Sequence, residues 1–137
     1  MASGRFVRNE GDKEARARFT LGQAFSCAWC GIRHALATQR NMRIHLAVAV
    51  VAVALGLALG LDAPSWAAVI LCIAGVLAAE CANTAIEAVV DLVTDEYAEL
   101  ARVAKDCAAG AVCLMAAGSV AVGAVVYGAR ALELLGL

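Results

Sequence analysis

The sequence predicts an all-α integral membrane protein: three transmembrane helices behind an N-terminal amphipathic surface helix. Three observations predict it. The 137-residue chain is 63% hydrophobic with a mean hydropathy of +0.79, whereas soluble domains are nearer half apolar. Its apolar content is mostly Ala, Val and Leu, with 5% aromatics and one proline, Pro64, a helical make-up rather than that of a β-barrel. Finally, the apolar residues gather into three runs close to the roughly 20 residues that span a bilayer. A chain of this length is expected to hold one domain.

The elements follow in order. Residues 1–19 are polar and charged and contain Gly4 and Gly11, so a flexible N-terminus is expected there. Residues 20–137 form the single membrane-embedded domain. Over 20–41, Phe25, Trp29, Ile32 and Leu36 recur at helical spacing, with Arg33, His34, Gln39 and Arg40 mainly off that line. This is the pattern of a helix lying in the membrane interface. The first span is expected over 44–61, with His45 as the polar residue at its start. Asp62-Ala-Pro64-Ser65 reads as a turn, and Pro64 suits the first turn of the next helix. The second span covers 66–91 and opens on Trp66, an interfacial aromatic. Residues 92–106 form a charged amphipathic loop, and 107–128 the third span. Gly56 with Gly60, and Ala74 with Ala78, are small-xxx-small pairs that permit close helix packing. Three short helices offer little interior, so a homo-oligomer is expected.

Charge sets orientation. Residues 1–45 carry eight Lys+Arg against three acids, and the remainder three against nine. Arg33, Arg40 and Arg43 flank the first span, Arg102 and Lys105 lie in the 92–106 loop, and the 62–65 turn has no basic residue. The positive-inside rule then puts the N-terminus and the 92–106 loop in the cytoplasm, with Arg130 as one weak contrary charge. The basic end suits an anionic membrane surface; without interleaved aromatics or a reading motif it does not suggest nucleic-acid binding. No signal peptide is expected, because the N-terminus is polar and the first apolar run starts near Ile44. Cys27 and Cys30 form a lone CxxC without the second ligand pair a zinc site needs. Small residues in an amphipathic helix are the simpler reading, and Cys72, Cys81, Cys107 and Cys113 read as small buried hydrophobes.

The chemistry-bearing residues are Glu80, Asn83, Glu87 and Asp91. At 100° per residue the three acids fall within about 40° of one another, with Asn83 about 60° to one side, and the stripe rises about 16 Å from Asp91 to Glu80. A carboxylate inside a bilayer costs several kcal/mol unless paired, metal-bound or protonated. Mg²⁺ takes oxygen ligands and is usually shared with phosphates, and a buried Glu suits proton abstraction from a hydroxyl. Glu80 therefore reads as a base and Glu87 as a metal ligand. Lys105 is long enough to reach phosphate oxygens, and Asp106 is placed to orient Lys105 or touch a nucleotide. Two plainer readings compete: a polar clasp that only fixes oligomer register, and solvent exposure of Glu87 and Asp91. No Walker A motif, kinase Gly-rich loop or HRD segment is present, so the residues alone define an acidic, cytoplasm-facing membrane site.

The stretch Glu80-Cys-Ala-Asn83-Thr-Ala-Ile-Glu87-Ala-Val-Val-Asp91, then Asp95-Glu96-Tyr97-Ala-Glu99-Leu100 and Ala104-Lys105-Asp106, resembles the small prokaryotic diacylglycerol kinase and undecaprenol kinase family. Arg40-Asn41-Met42-Arg43-Ile44-His45 and Trp29-Cys-Gly31-Ile32-Arg33 fit the same pattern, and the likeness runs from about residue 22 to 128. The resemblance implies a homotrimer in the cytoplasmic membrane, with active sites shared between neighbouring subunits. It implies direct transfer of the ATP γ-phosphoryl to a lipid hydroxyl. Glu80 takes the place of the catalytic base and Asn83 that of the Asn beside it. Glu87 takes the place of the Mg²⁺ and nucleotide ligand. Lys105 and Asp106 fall on the phosphate- and nucleotide-binding pair, and Glu96 and Tyr97 on the loop near the nucleotide. Gln39 stands where the family has a second metal-binding Glu, and Met42 where a Phe is common.

The implied function is a lipid kinase using MgATP, with undecaprenol favoured over diacylglycerol on the Arg-Asn-Met-Arg-Ile-His and Asn-Thr-Ala-Ile-Glu versions of the motifs. A small transporter around Glu80 is the rival from another class; it needs a polar path across the membrane, whereas the polar residues of the second span stop at Glu80. A member that has lost catalysis and serves as an interaction subunit is the third reading, supported by Gln39 alone.

Overall fold

The computed structural model describes residues 20–94 and 96–136, so the flexible N-terminus expected over 1–19 lies outside the described residues. Four helices are seen among them: α1 (Leu21–Thr38), α2 (Arg40–Leu59), α3 (Ala63–Val93) and α4 (Glu99–Leu135). The described residues divide into two compact units at Arg33/His34.

In the first unit, Thr20 and Gln23 start α1 reciprocally. The Thr20 N–H donates to Gln23 Oε1 at 2.9 Å, and the Gln23 N–H donates to Thr20 Oγ1 at 3.3 Å. This is a capping box, which satisfies two orphan donors at the helix start. Of the row that marked the helix in the sequence, Phe25, Trp29 and Ile32 are exposed, as is Leu21 before them, whereas Leu36 is half-buried.

The second unit runs from His34. Sequence periodicity extended the first helix to residue 41; α1 instead ends at Thr38, and Gln39 is extended (φ −95°, ψ 121°) before α2 starts at Arg40. The break turns the chain at Gln39 and makes Arg40–Ile44 the first turn of a helix that continues unbroken to Leu59. Leu59 is also an earlier end than the expected 61. Gly60 adopts the left-handed conformation (φ 66°), its N–H reaching Leu57 O and the Leu61 N–H reaching Gly56 O. That is a Schellman cap, which favours glycine because no Cβ crowds the backbone. Gly60 is thus a helix stop rather than half of a packing pair. Of the two, Gly56 is a close-approach position, since a Cβ there would lie 2.9 Å from Trp66 Cη2. Asp62 caps α3 by accepting from the Ser65 N–H at 3.0 Å, with Pro64 in the first turn. The Ser65 hydrogen bonds hold the Asp62 carboxyl below its ordinary range.

α2, α3 and α4 have 20, 31 and 37 residues and are long and apolar enough to cross a membrane. At 1.5 Å per residue α3 and α4 run about 46 and 55 Å, well past a hydrocarbon layer of about 30 Å. The charged segment expected as a loop over 92–106 is mostly the first turns of α4. Arg102 pairs with Glu99 and Asp106 along the helix, the three- and four-residue spacings that stabilise an exposed helix surface. The connection shrinks to 94–98.

Buried positions repeat every seven residues: Met42, Ala49 and Gly56 on α2, and Val69, Val76 and Asn83 on α3. A seven-residue repeat keeps one seam facing a neighbouring helix. α3 also packs along α4, where Ala108 and Val112 are buried. Two side chains tie α4 to α2 by donating to its backbone carbonyls: Tyr127 Oη to Ala52 O at 2.7 Å, and Arg130 Nε to Leu59 O at 3.0 Å.

Candidate active site

Glu80 lies on the seam of α3, 2% exposed. The helix places it one turn beyond Val76 and one turn before Thr84, whose hydroxyl donates back to the Glu80 carbonyl at 2.9 Å. Its carboxylate Oε1 has no hydrogen-bond partner among the described residues. His45 of α2 comes close instead, with Nε2 3.2 Å from Glu80 Oε1, without the geometry of a hydrogen bond.

Two turns along α3, Glu87 is held from both sides. Asn83 Nδ2 donates to its Oε1 at 3.0 Å, and Gln39 Nε2 donates to its Oε2 at 3.1 Å. The α1–α2 break delivers Gln39 to this carboxylate across 48 residues of sequence. Asn83 Oδ1 is buried and unpartnered among the described residues. Carboxylate and amide carbonyl oxygens are the hard donors that Mg²⁺ takes, usually with several waters and phosphate oxygens. Turning either amide over presents its oxygen, so these residues fit part of a Mg²⁺ site.

The next charged pair joins helices. Lys105 Nζ of α4 meets Asp91 Oδ1 of α3 at 2.5 Å. Sequence reasoning placed Asp106 beside Lys105, but Asp106 accepts from Arg102 at 2.8 Å instead. Tyr97 Oη donates to Glu99 Oε2 at 2.8 Å, and the Glu96 N–H donates to Thr94 Oγ1 at 3.1 Å. Glu96, Tyr97, Asp91, Arg102 and Lys105 line one recess of about 460 Å³ between the end of α3 and the start of α4. The site residues named from the sequence therefore fall into three groups along α3: Glu80; Gln39 with Asn83 and Glu87; and the recess with Glu96, Tyr97 and Lys105. Asp106 stands outside the recess lining.

Two residues were undervalued in the sequence. His45 had a signal, as the polar residue at the head of an apolar run. Arg102 had one in its spacing to Glu99 and Asp106. On the other side of His45 opens an apolar cleft of about 370 Å³, walled by α2, α3 and α4 and lined by Ala49, Ala52, Val76, Ala116 and Gly123 among others.

Three apolar helices with a carboxylate buried beside an apolar cleft and a charged recess at the helix ends define a multi-pass membrane protein with a polar site in its bundle. Residues 26–127 match the family of prokaryotic diacylglycerol kinases, and the chain belongs to that family. It is 48% identical over 101 residues to a diacylglycerol kinase of Synechocystis sp., an overlap covering 73% of this chain and 58% of that protein. It is 39% identical over 105 residues to an undecaprenol kinase of Bacillus subtilis, covering 77% of this chain and 85% of that one. The chain thus spans less than two thirds of the Synechocystis relative.

Proposed function

We propose that this protein is a lipid kinase that transfers the γ-phosphoryl of ATP to the primary hydroxyl of a membrane lipid alcohol, with undecaprenol preferred to diacylglycerol. The observation that carries the reading is Glu80, a buried carboxylate whose Oε1 has no hydrogen-bond partner among the described residues and lies against His45, which lines the apolar cleft. A lipid alcohol presents such a site with a proton to lose and a tail to bury. The motif versions around Asn41 and Asn83 favour a polyprenol. The relatives carry both names.

In this reading Glu80 accepts the hydroxyl proton as the phosphoryl group transfers, and Asn83 holds Glu87 in place beside it. The recess of Glu96, Tyr97 and Lys105 receives the nucleotide, Lys105 exchanging Asp91 for phosphate oxygens. Asp106 acts at its edge through Arg102. Glu87, with Asn83 and Gln39 oxygens, would hold Mg²⁺, which supplies charge neutralisation on the phosphates when bound. The active site and N-terminus face the cytoplasm, as the Lys/Arg bias requires, and α1 lies on the cytoplasmic membrane surface with Phe25 and Trp29 in the lipid. A homotrimer brings neighbouring subunits against the exposed apolar faces of α2–α4 and shares the sites between them.

The test is purified protein in mixed micelles with labelled MgATP, offered undecaprenol and diacylglycerol in parallel. Labelled phosphate in undecaprenol at the higher kcat/KM is the expected result. Equal or better use of diacylglycerol would reject the lipid preference, and no labelled lipid at all would reject the kinase.

Gln39 gives a second handle. Replacing it by Glu sets a carboxylate about 3 Å from Glu87, where the amide now donates. Two facing carboxylates require a cation, and added ligand charge raises divalent affinity. Gln39→Glu is expected to lower the Mg²⁺ concentration for half activity by about tenfold; an unchanged or higher requirement in a Mg²⁺ titration would remove Glu87 from the metal site.

A further inference from the structure

Glu80 is almost wholly enclosed, so a proton it accepts has to leave through a neighbour. Its own helix offers no exit, because the Thr84 hydroxyl is engaged with the Glu80 backbone carbonyl. The titratable group at hand is His45, whose Nε2 stands 3.2 Å from the unpartnered Oε1. The imidazole side chain is 24% exposed against 2% for Glu80. His45 therefore touches the buried acid through Nε2 while part of its ring is exposed, lining the adjoining cleft. The other titratable residues lining the adjoining cleft are Cys72 on α3 and Tyr127 on α4, and Tyr127 is committed to Ala52 O.

A carboxylate oxygen and an unprotonated ring nitrogen facing each other are both acceptors, and one proton between them satisfies both. We infer that His45 is the proton relay of the transfer reaction, a positioning residue that acts through Glu80. The inference rests on the kinase reading above. As the lipid hydroxyl oxygen bonds to the γ-phosphorus and the bond from that phosphorus to the ADP oxygen breaks, the hydroxyl proton passes to Glu80. It moves from Glu80 Oε1 to His45 Nε2, and the imidazole gives up its Nδ1 proton to a water reaching its partly exposed ring. Glu80 returns to the carboxylate and His45 to a neutral ring protonated on Nε2; exchange with water restores the Nδ1 tautomer and resets the relay, so the step balances with ATP, the lipid and solvent. Imidazole suits the task because it gains and loses a proton near neutral pH and carries one nitrogen on each side of the ring.

The test compares wild type, His45→Ala and His45→Gln in the mixed-micelle assay, with undecaprenol and with diacylglycerol, in the presence and absence of free imidazole. His45→Ala is expected to lower kcat about tenfold or more, while KM for MgATP changes by less than about twofold. His45→Gln keeps a hydrogen-bonding side chain of similar reach but does not take up and release a proton, and is expected to be as slow as His45→Ala. Added imidazole is expected to restore His45→Ala and to leave wild type unchanged. The relay is overturned by a wild-type rate in His45→Ala, by recovery of that rate in His45→Gln, or by a loss that imidazole does not repair in a variant melting at the wild-type temperature. Wild-type protein that phosphorylates neither lipid overturns the kinase reading, and the relay with it.

Discussion

Glu80→Gln is expected to lower kcat for lipid phosphorylation by about 10²–10⁴-fold, the range over which a positioned acid or base contributes. The substitution keeps the volume of a residue that is 2% exposed, so no cavity opens beneath it. Its amide can also donate to His45, which stands 3.2 Å from the carboxylate today. The fold is therefore expected to survive. Glu87 lies seven residues away, about 10 Å along the helix, so KM for MgATP is expected to stay within about twofold while kcat collapses. A kcat within about threefold of wild type, read in the same labelled-lipid assay, would mean that Glu80 is a structural clasp between α2 and α3 and takes no proton from the substrate.

For Glu87→Gln the expected loss is about 10–100-fold in kcat/KM for MgATP, the usual cost of disturbing a metal ligand or its support. The local hydrogen bonding explains why a near-isosteric change is so damaging. Both carboxylate oxygens accept amide N–H groups, one from Asn83 and one from Gln39. An amide at 87 sets an NH₂ against one of those donors, and a frustrated polar group costs about 1–3 kcal/mol in addition to the lost charge. The double variant Gln39→Glu with Glu87→Gln exchanges acid and amide across the same contact. It is expected to recover much of the loss, because the pair again matches donor to acceptor and retains one charge. A double variant no better than Glu87→Gln alone would show that the charge has to sit on α3, and would detach Gln39 from the site's function.

The membrane character, the three apolar helices and the stripe on α3 were legible because bilayer length and helical periodicity both write themselves into local sequence. Glu80 and Glu87 stood out for the same reason: acids on an apolar face have few inexpensive explanations. The stripe is in fact the continuation of the α3 packing seam, in which Asn83 follows Val69 and Val76 at seven-residue steps, a relation that only neighbouring helices reveal. The break at Gln39 was hidden because Arg40 and Asn41 fit a helix as well as Thr38 does; what matters is the turn at one backbone position. Gly60 looked like a packing glycine because spacing alone does not separate a small contact residue from a left-handed cap. The 94–98 connection reads as longer in the sequence because a charged segment resembles loop, whereas Glu99, Arg102 and Asp106 neutralise one another along a helix. The pairings of His45 with Glu80 and Lys105 with Asp91 join different helices and leave no trace in one-dimensional spacing.

The bonds from Tyr127 and Arg130 to the α2 backbone have a consequence for how the site tolerates its surroundings. Among lipid tails, apolar surface gains little by leaving the solvent, so helices cohere mainly through close packing and hydrogen bonds. Both donors aim at fixed carbonyls, those of Ala52 and Leu59, and sliding one helix past the other by a single residue moves those targets by about 1.5 Å. The two bonds act as a vernier between α2 and α4, set about 10 and 21 Å along α2 from His45. A bilayer too thick or too thin for the bundle pulls on that scale first, and a slip there changes the height at which the His45 ring meets Glu80.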